Sequence, residues 1–408
     1  MKPVLSIVLA GGQGERLMPL TGDRAKPAVP FGGHYRIIDF VLSNIINSGL
    51  FRILVLTQFK ADSLLQHLKR GWHLPALLDQ FIDAVPAQMR TGKNWYMGSA
   101  DAVYQNLHHI YNSGAENVCI FGGDHIYRMN VLHFIDFHEK TEADVSVSVI
   151  PYPRKEAQGF GIVEAGADWR MVDFKEKPKD PPPMPGDPTM SLCSMGIYIF
   201  RTEVLIDAIK RDAKDKASSH DFGRDVLPSL FKGKRVMAYN FAENPVPGAT
   251  MQERGYWRDV GTIDAYWNAS MDLVAVSPTF NLYNAAWSIK TARDSNPPAK
   301  FVFSDERKHR VGKATDSLVC DGVIISGGKI DRSILSPSVR INSYSKVEQS
   351  ILFDRVNVGR YAKIRRAIID KDVVISPRAT LGYDIEKDSK RFHVSPEGIV
   401  VVPKGTTV

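Results

Sequence analysis

A glycine-rich turn near the amino terminus carries the residues best suited to hold phosphate groups. Gly11, Gly12 and Gly14 follow a short apolar run of the chain. Because glycine has no Cβ, this backbone can adopt positive φ and close its N–H groups around phosphate oxygens. Arg16 can make paired hydrogen bonds to a polyphosphate, and Lys26 adds a compact positive charge. The turn therefore predicts a loop that binds a phosphate-bearing ligand.

Two common phosphate-binding motifs do not fit this turn. The dinucleotide fingerprint G-x-G-x-x-G would start at Gly12, but Leu17 stands where its last glycine belongs. The Walker A motif fails as well, because no Gly-Lys-Ser/Thr sequence closes the loop. Neither a dinucleotide site nor a P-loop is therefore predicted here.

Two aspartates could hold a divalent metal, although their local sequence alone does not require it. Asp124 ends a strand-like run, where an aspartate more often forms a turn or caps a helix. Asp259 follows Arg258, and a pair between these neighbours is the simpler interpretation. The segment F-K-E-K-P at 174–178 is likewise compatible with a solvated strand edge. The eleven histidines show no metal-binding or catalytic-triad spacing.

The elements that would position these residues alternate between strand-like and helix-like segments over the first 280 residues. Residues 52–58 and 117–124 are apolar and β-branched, and segments with helical spacing follow them. This alternation predicts a mostly parallel sheet with helices on both faces. Ligands of such sheets lie at the carboxyl ends of the strands, where the glycine turn and Asp124 both fall.

The composition indicates a globular protein with two domains. The chain has 408 residues, which is too long for one compact core, and 44% are hydrophobic and 24% charged. Its net charge of +7 is spread along the chain, which favours small anions over nucleic acid. Three cysteines, far apart and odd in number, indicate a reducing cytoplasm without disulfides. No apolar run approaches the roughly 20 residues that span a membrane.

From residue 318 onward, apolar residues recur at intervals of seventeen. Two of the rows lie six residues apart, as in hexapeptide-repeat β-helices. Antiparallel strands would alternate with period two and would not keep this register. The five rows are Ile324, Ile341, Val358 and Ile375; Ile330, Val347, Ile364 and Leu381; Leu335, Leu352 and Ile369; Ile334, Ile351 and Ile368; and Val339, Val356 and Val373.

The repeat predicts a parallel β-helix with three short strands per turn. Each row would stack as an inward-facing ladder, and the turns would depend on one another because a single turn cannot bury its own apolar face. The predicted domains are 1–280 and 317–408. A linker is expected over 281–316, where the periodicity fades.

Several motifs, in their order along the chain, resemble those of the sugar-phosphate nucleotidyltransferases. The pattern G-G-x-G-x-R-L…K-P resembles the signature of that family, and R-A-K-P-A-V-P-F-G-G-x-Y-R-I-I-D-F resembles its branch of bacterial ADP-glucose pyrophosphorylases. D-H-I-Y, F-K-E-K-P, S-M-G-I-Y, S-S-H-D-F-G and Y-W-R-D-V-G-T follow in the expected order. The resemblance implies a Rossmann-like, mostly parallel mixed sheet of the GT-A-like nucleotidyltransferase type, followed by a left-handed parallel β-helix.

The resemblance also implies a role for each candidate site residue. Catalysis would depend on Asp124, Arg16 and Lys26, and Asp124 and Asp259 would bind Mg²⁺. The nucleotide would contact Gly11, Gly12, Gly14, Arg16, Gln88 and Trp95, and glucose 1-phosphate would contact Tyr96, Gly161, Glu176, Lys177 and Ser194. Lys177 would pair with the sugar phosphate, and Glu176 would accept hydrogen bonds from sugar hydroxyls.

By the same resemblance, the substrates would be ATP and α-D-glucose 1-phosphate, and the product ADP-glucose would supply glycogen synthesis. A homotetramer under control of anionic metabolite effectors is expected, with Arg36, Lys390 and Arg391 as candidate effector contacts. Two alternatives stay open: a related enzyme that uses another nucleoside triphosphate, and a non-catalytic regulatory subunit. Residues 318–381 contain no histidine, which opposes the acetyl transfer performed by the β-helix of bifunctional uridylyltransferases.

Overall fold

The computed structural model describes residues 2–90 and 94–408. Its amino-terminal domain is built on a nine-stranded mixed sheet. The strands are β1 Val4–Ala10, β2 Arg52–Thr57, β3 Phe81–Pro86, β4 Asn117–Gly122, β5 Val145–Pro153, β6 Gly161–Ala165, β7 Met171–Glu176, β8 Met190–Arg201 and β9 Val236–Asn240. Along the sheet the order is β7-β6-β8-β4-β1-β2-β3, while β5 pairs with β8 and β9 pairs with β5.

The centre of this sheet is parallel, as predicted. β1 lies between β2 and β4 and is parallel to both, and β2 is parallel to β3. β8 is antiparallel to β4 and β5, which makes the sheet mixed. β1 is buried along nearly its whole length, as expected for a strand that helices cover on both faces.

Helices pack on both faces of the sheet and confirm the predicted layering. The sheet helices are α1 Ile37–Asn47, α2 Asp62–Gly71, α3 Ser99–Gln105, α4 Leu107–Ser113, α5 Val131–Lys140 and α6 Thr202–Asp212. Of the other two, α7 Ile263–Asp272 contacts the strand Trp257–Asp259, and α8 Ile385–Ser389 lies in the carboxyl-terminal domain. Leu5 and Ile7 of β1 join a core with α3, α4 and α6, whereas Val4 and Val8 join a second core with α1, α2 and α5. Within the described ranges, none of these helices is long and apolar enough to cross a membrane.

The carboxyl-terminal domain is a β-helix of three sheets of short parallel strands. One sheet contains Lys300–Val302, Ile324–Ser326, Arg340–Ile341, Asn357–Val358 and Val374–Ile375. The second contains Lys313–Thr315, Lys329–Asp331, Lys346–Glu348, Lys363–Arg365 and Thr380–Leu381. The third contains Leu318–Val319, Ile334–Leu335, Ile351–Leu352, Ala367–Ile369 and Val400–Val402, with His393–Val394 antiparallel at its edge.

The seventeen-residue repeat is confirmed as the strand register, with two corrections. Ile325, not Ile324, pairs with Ile341, because the first turn is one residue shorter than those that follow. The row that begins at Ile334 faces outward, since neighbouring residues of a strand point to opposite sides and Leu335 points inward. This outward row packs against the amino-terminal domain.

Strands also occur within the segment predicted as a linker. Lys300–Val302 pairs with Ile324–Ser326, and Lys313–Thr315 pairs with Lys329–Asp331. Both strands are therefore stacked on the β-helix, although most of their residues are too exposed to continue the apolar rows. We propose that the β-helix domain begins near residue 300 rather than at 317.

The two domains are joined by a shared apolar core and by a buried ion pair. Leu20 and Phe40 of the sheet domain belong to the same cluster as the outward β-helix row. Arg24 donates hydrogen bonds of 3.1 and 2.9 Å to the two carboxylate oxygens of Asp370, and neither side chain is more than 4% exposed. Because Arg24 lies two residues before Lys26, this pair fixes the loop that carries Lys26 against the β-helix.

Candidate active site

A cavity of about 780 Å³ opens at the carboxyl ends of β1 and β4. The glycine turn forms part of its wall, and Arg16, Lys26, Asp124 and Asp259 line it. The carboxyl ends of neighbouring parallel strands meet at one edge of a sheet, so this is the position that the sequence predicts. The residues expected to perform catalysis and bind metal therefore share one cavity.

A short antiparallel ribbon brings the two aspartates together. His125–Tyr127 pairs with Trp257–Asp259, and this register places Asp259 opposite His125. Asp124 directly precedes the first strand of the ribbon. Carboxylates from distant parts of the sequence thus reach the same wall of the cavity.

Lys26 bridges these two carboxylates. Its Nζ donates hydrogen bonds to Asp124 Oδ2 at 2.9 Å and to Asp259 Oδ1 at 2.8 Å. Arg16 Nη2 lies 3.7 Å from Asp259 Oδ2. The lysine side chain is 8% exposed, whereas those of Asp124 and Asp259 are 36% and 23% exposed and face the cavity.

The charges of this cluster stabilise one another. Burial lowers the pKa of the Lys26 ammonium, but attraction to Asp124 and Asp259 outweighs burial and leaves that pKa above its ordinary value. Burial raises the pKa of the Asp124 carboxyl, but His125 and Lys26 outweigh it and hold that pKa far below its usual range. At neutral pH, Lys26 and Asp124 are therefore both charged.

The same wall fits a divalent metal. Ligand atoms of Asp124, His125 and Asp259 all lie within 4.8 Å of one another. Carboxylate oxygens are the protein ligands that Mg²⁺ prefers, whereas an imidazole is a better ligand for transition metals. His125 Nδ1 is buried and has no hydrogen-bond partner among the described residues. His125 was not predicted from the sequence, because no second histidine at a ligand spacing accompanies it.

Of the three glycines in the turn, Gly14 adopts positive φ. Gly14 takes a φ of +66°, and a Cβ there would lie 3.0 Å from Thr21 Cγ2. Gly11 and Gly12 do not adopt the positive φ that glycine allows. A Cβ on Gly12 would have no neighbour within 4 Å, and Gly12 lines the cavity. Its lack of a side chain therefore leaves space for a ligand beside the backbone.

The predicted sugar residues lie on another wall and only partly face the cavity. Glu176, at the end of β7, lines the cavity, and Lys177 Nζ lies 3.3 Å from Glu176 Oε1. Gly161 pairs with Glu176 across β6 and β7, and a Cβ on it would lie 3.0 Å from Glu176 Oε2. The oxygen of the Ser194 hydroxyl accepts a hydrogen bond from the backbone N–H of Gly196 at 3.3 Å. Of these predicted residues, Glu176 has the most direct access to a ligand.

Tyr198 and Asp221 also line this cavity, although the sequence analysis did not select them. Tyr198 follows a bulge in β8, where Gly196 takes a φ of +66°. Asp221 accepts hydrogen bonds from Ser99 Oγ and from the backbone N–H of Gly223, both at 2.9 Å. Both residues belong to motifs noted above, S-M-G-I-Y and S-S-H-D-F-G. Membership of a motif was thus the one available signal.

A second cavity of about 290 Å³ adjoins the first at Gly12 and Ser99. Leu56 gives it an apolar wall, and Gln58 accepts a hydrogen bond of 2.9 Å at Oε1 from the backbone N–H of Tyr96. Tyr96, predicted to contact glucose 1-phosphate, lines this second cavity because the loop before α3 packs against the end of β2, and its contact with the sugar stays a prediction. Gln58 was not predicted.

Gln88 and Trp95, predicted for the nucleotide, line neither of these cavities in the described part of the chain. Gln88 is exposed after the end of β3, and the Trp95 side chain is 51% exposed. Residues 91–93, which lie between them in the predicted nucleotide loop, are outside the described residues. A role for Gln88 and Trp95 in nucleotide binding stays a prediction.

A third cavity, of about 450 Å³, lies between the two domains, and we call it the interdomain cavity. Arg36 lines it, and Arg36 Nη1 donates a hydrogen bond of 2.7 Å to the Ser63 carbonyl oxygen. Its other cationic residues are Arg70, Arg293, Arg355, Lys371 and Lys404. The predicted Lys390 and Arg391 do not line it, since they follow α8 on the exposed surface.

Known proteins resemble this chain over its whole length. Residues 5–275 match the family model described as Nucleotidyl transferase, and residues 297–402 match the one described as GlmU-like, C-terminal hexapeptide. The glucose-1-phosphate adenylyltransferase of Anaeromyxobacter sp. (strain Fw109-5) is 56% identical over 409 residues and covers all of both chains. That of Thermus thermophilus is also 56% identical, with 98% of each chain covered. The glucose-1-phosphate adenylyltransferase 1 of Vibrio parahaemolyticus is 48% identical over all of both chains.

Proposed function

The chain belongs to the glucose-1-phosphate adenylyltransferase family, and we propose that it converts ATP and α-D-glucose 1-phosphate into ADP-glucose and pyrophosphate. The observation that carries this proposal is the Asp124–Lys26–Asp259 cluster, set beside a glycine turn in one cavity. We further propose that ADP-glucose serves as the glucosyl donor for glycogen synthesis.

The proposed chemistry is an in-line displacement at the α-phosphorus of ATP. A phosphate oxygen of glucose 1-phosphate forms the new bond, and pyrophosphate leaves with the electrons of the bond that breaks. Neither substrate needs covalent activation, so the protein must align two anions and neutralise their charge. Arg16 and Lys26 supply positive charge from the cavity wall. A Mg²⁺ ion, held by Asp124 and Asp259, would polarise phosphate oxygens when bound.

The second cavity suits the adenine base, because it combines apolar walls with the side chain of Gln58 and adjoins the glycine turn. The alternative is a related enzyme that uses UTP or CTP. We expect purified protein with Mg²⁺ and glucose 1-phosphate to form product from ATP much faster than from UTP, CTP or GTP. Pyrophosphate release with each nucleotide measures this. Equal or faster reaction with another nucleotide would support the alternative.

Lys177→Ala is expected to raise the KM for glucose 1-phosphate by roughly tenfold, because the sugar phosphate would lose a charge-assisted contact. The KM for ATP should change little, since Lys177 contacts Glu176 at the end of β7 and is not part of the glycine turn. Steady-state kinetics with each substrate varied in turn gives the two KM values separately. Lys175→Ala is the control, because Lys175 pairs with Glu164 outside the cavity. An equal rise in both KM values would remove Lys177 from the sugar site.

The interdomain cavity supports the proposal that anionic metabolites regulate the enzyme. Its cationic residues come from both domains, so a bound anion would contact the sheet domain and the β-helix together. Arg355 and Lys371, rather than Lys390 and Arg391, are the β-helix cations that share this cavity with Arg36. We therefore propose Arg355 and Lys371 as the effector contacts of the β-helix, in place of Lys390 and Arg391.

Arg36→Ala should raise the activation constant of any phosphorylated effector by tenfold or more, because a guanidinium is removed from the cavity. Assays against a panel of phosphorylated metabolites, with wild type and variant in parallel, give these constants. Lys390→Ala is the control and should leave them unchanged, since Lys390 does not line the cavity. Unchanged activation constants for every effector in Arg36→Ala would contradict the proposed role of Arg36 in effector binding.

The other alternative is a non-catalytic regulatory subunit, and the retained cluster opposes it. A subunit without catalysis does not need Lys26, Asp124 and Asp259 in mutual contact. A homotetramer and a cytoplasmic location remain proposals. The family resemblance supports the tetramer, and three free cysteines support a reducing compartment.

A further inference from the structure

Lys26 occupies the position between the carboxylates that a divalent cation would also require. It donates to Asp124 and Asp259 at 2.9 and 2.8 Å, and these two residues supply the oxygen ligands of the proposed metal site. The ammonium group and a divalent cation held by the same two carboxylates would repel each other, so the two hydrogen bonds and metal binding oppose each other. The contact is therefore a competitor of metal binding and not only a structural ion pair.

The charges of the cluster are already balanced without a metal. Asp124 and Asp259 carry two negative charges, and Lys26 with the nearby Arg16 carries two positive charges. A divalent ion entering alone would create an excess of positive charge on this wall. A triphosphate entering alone would meet two carboxylates and a lysine already engaged by them. Each ligand therefore favours the entry of the other.

The lysine can change partners without movement of its backbone. Its stem lies against the glycine turn, since a Cβ built on Gly14 would be 3.1 Å from Lys26 Cβ. The backbone around it is held by a 3.0 Å hydrogen bond from Val29 N–H to the Lys26 carbonyl oxygen and by the Arg24–Asp370 pair. A flexible four-carbon side chain on a fixed backbone can move its ammonium group from the aspartates to phosphates in the same cavity.

We propose that Lys26 couples metal entry to nucleotide entry: its ammonium group holds Asp124 and Asp259 until a triphosphate arrives, then transfers to the phosphates and releases both carboxylates to the metal. The proposal rests on the proposed function, because it takes the same cavity as the nucleotide and metal site. It goes beyond that function by assigning a second role to the lysine. As a consequence, the enzyme without bound nucleotide binds a divalent ion weakly.

The first test measures Mn²⁺ binding to the full-length protein without nucleotide, from the EPR signal of free Mn²⁺. Lys26→Met should bind Mn²⁺ about tenfold more tightly than wild type, because the competing charge is gone. Lys69→Met, which removes an exposed charge on α2 outside the cavity, should match wild type. Adding Asp259→Asn to Lys26→Met should abolish the gain. Binding in folded Lys26→Met that is equal to or weaker than in wild type would overturn the proposal.

The second test measures ATP binding in EDTA by calorimetry. Asp259→Asn should bind metal-free ATP about fivefold more tightly than wild type, because Lys26 loses one of its two carboxylate partners and moves more readily to the phosphates. The same substitution in a Lys26→Met or Lys26→Gln background should bring no such gain. An equal gain in both backgrounds would mean simple relief of repulsion and would overturn the proposal, as would no gain in either.

The proposed function and the coupling role of Lys26 can fail separately. If wild-type protein forms no ADP-glucose, the proposed function fails, whatever the Mn²⁺ result. If wild type forms ADP-glucose while Lys26→Met leaves Mn²⁺ affinity unchanged, only the coupling role of Lys26 is lost.

Discussion

Asp124→Asn is expected to lower kcat by two to three orders of magnitude, roughly the effect of removing one group that stabilises the transition state. The substitution keeps the shape of the side chain but removes the charge that Lys26 and a metal both require. The fold should persist, because the Asp124 side chain is partly exposed and lies at the end of a strand. Pyrophosphate release under saturating substrates measures turnover, and circular dichroism confirms the fold.

Asp180→Asn is the matched control for this experiment. It removes the same charge from a side chain that is 88% exposed and pairs only with Arg154 in the described structure. Its turnover should equal that of wild type. Near-normal turnover in Asp124→Asn would contradict the metal and charge role and would leave the proposed chemistry without its central carboxylate.

The sheet and the β-helix interior could be predicted because both depend on periodic burial. The row through Val347 keeps its register since its steps from Ile330 to Val347, to Ile364 and to Leu381 are each seventeen residues long. The slip at Ile325 could not be predicted, because Ile324 and Ile325 are both apolar and only the length of one turn decides between them. The outward row at Ile351 could not be predicted either, since a strand buried by another domain is apolar on both sides.

The candidate site was predictable where a residue's role follows from its position at a strand end. Asp124 at the end of β4 is such a case. Asp259 depends on an antiparallel ribbon between distant segments, and its local sequence favoured a pair with Arg258. The positions of Tyr96 and Gln58 depend on how a loop packs over β2, which no local pattern encodes. Family resemblance supplied both Asp259 and Tyr96, and the contact of Tyr96 with the sugar stays a prediction.

Asp370→Ala should cost about 3–5 kcal/mol of stability, because it leaves the buried guanidinium of Arg24 without its counter-charge. Among the described residues, Arg24 would then have one side-chain hydrogen bond, of 3.2 Å to the Leu20 carbonyl oxygen. Turnover should fall as well, because Arg24 anchors the loop that carries Lys26. Urea unfolding, monitored by circular dichroism, measures this loss of stability. Asp372→Ala, which breaks an exposed pair with Arg355, should cost at most about 1 kcal/mol.

A double variant separates the charge of this pair from its role in positioning. Arg24→Met with Asp370→Leu leaves no buried charge, and apolar replacement of a buried pair is often neutral or stabilising, so most of the lost stability should return. Turnover should nevertheless stay below that of wild type, because two apolar side chains lack the directional hydrogen bonds that fix the Lys26 loop. Full recovery of both stability and turnover in the double variant would show that the Arg24–Asp370 pair contributes only to stability. A stability loss in Asp370→Ala no larger than in Asp372→Ala would show that it does not join the domains at all.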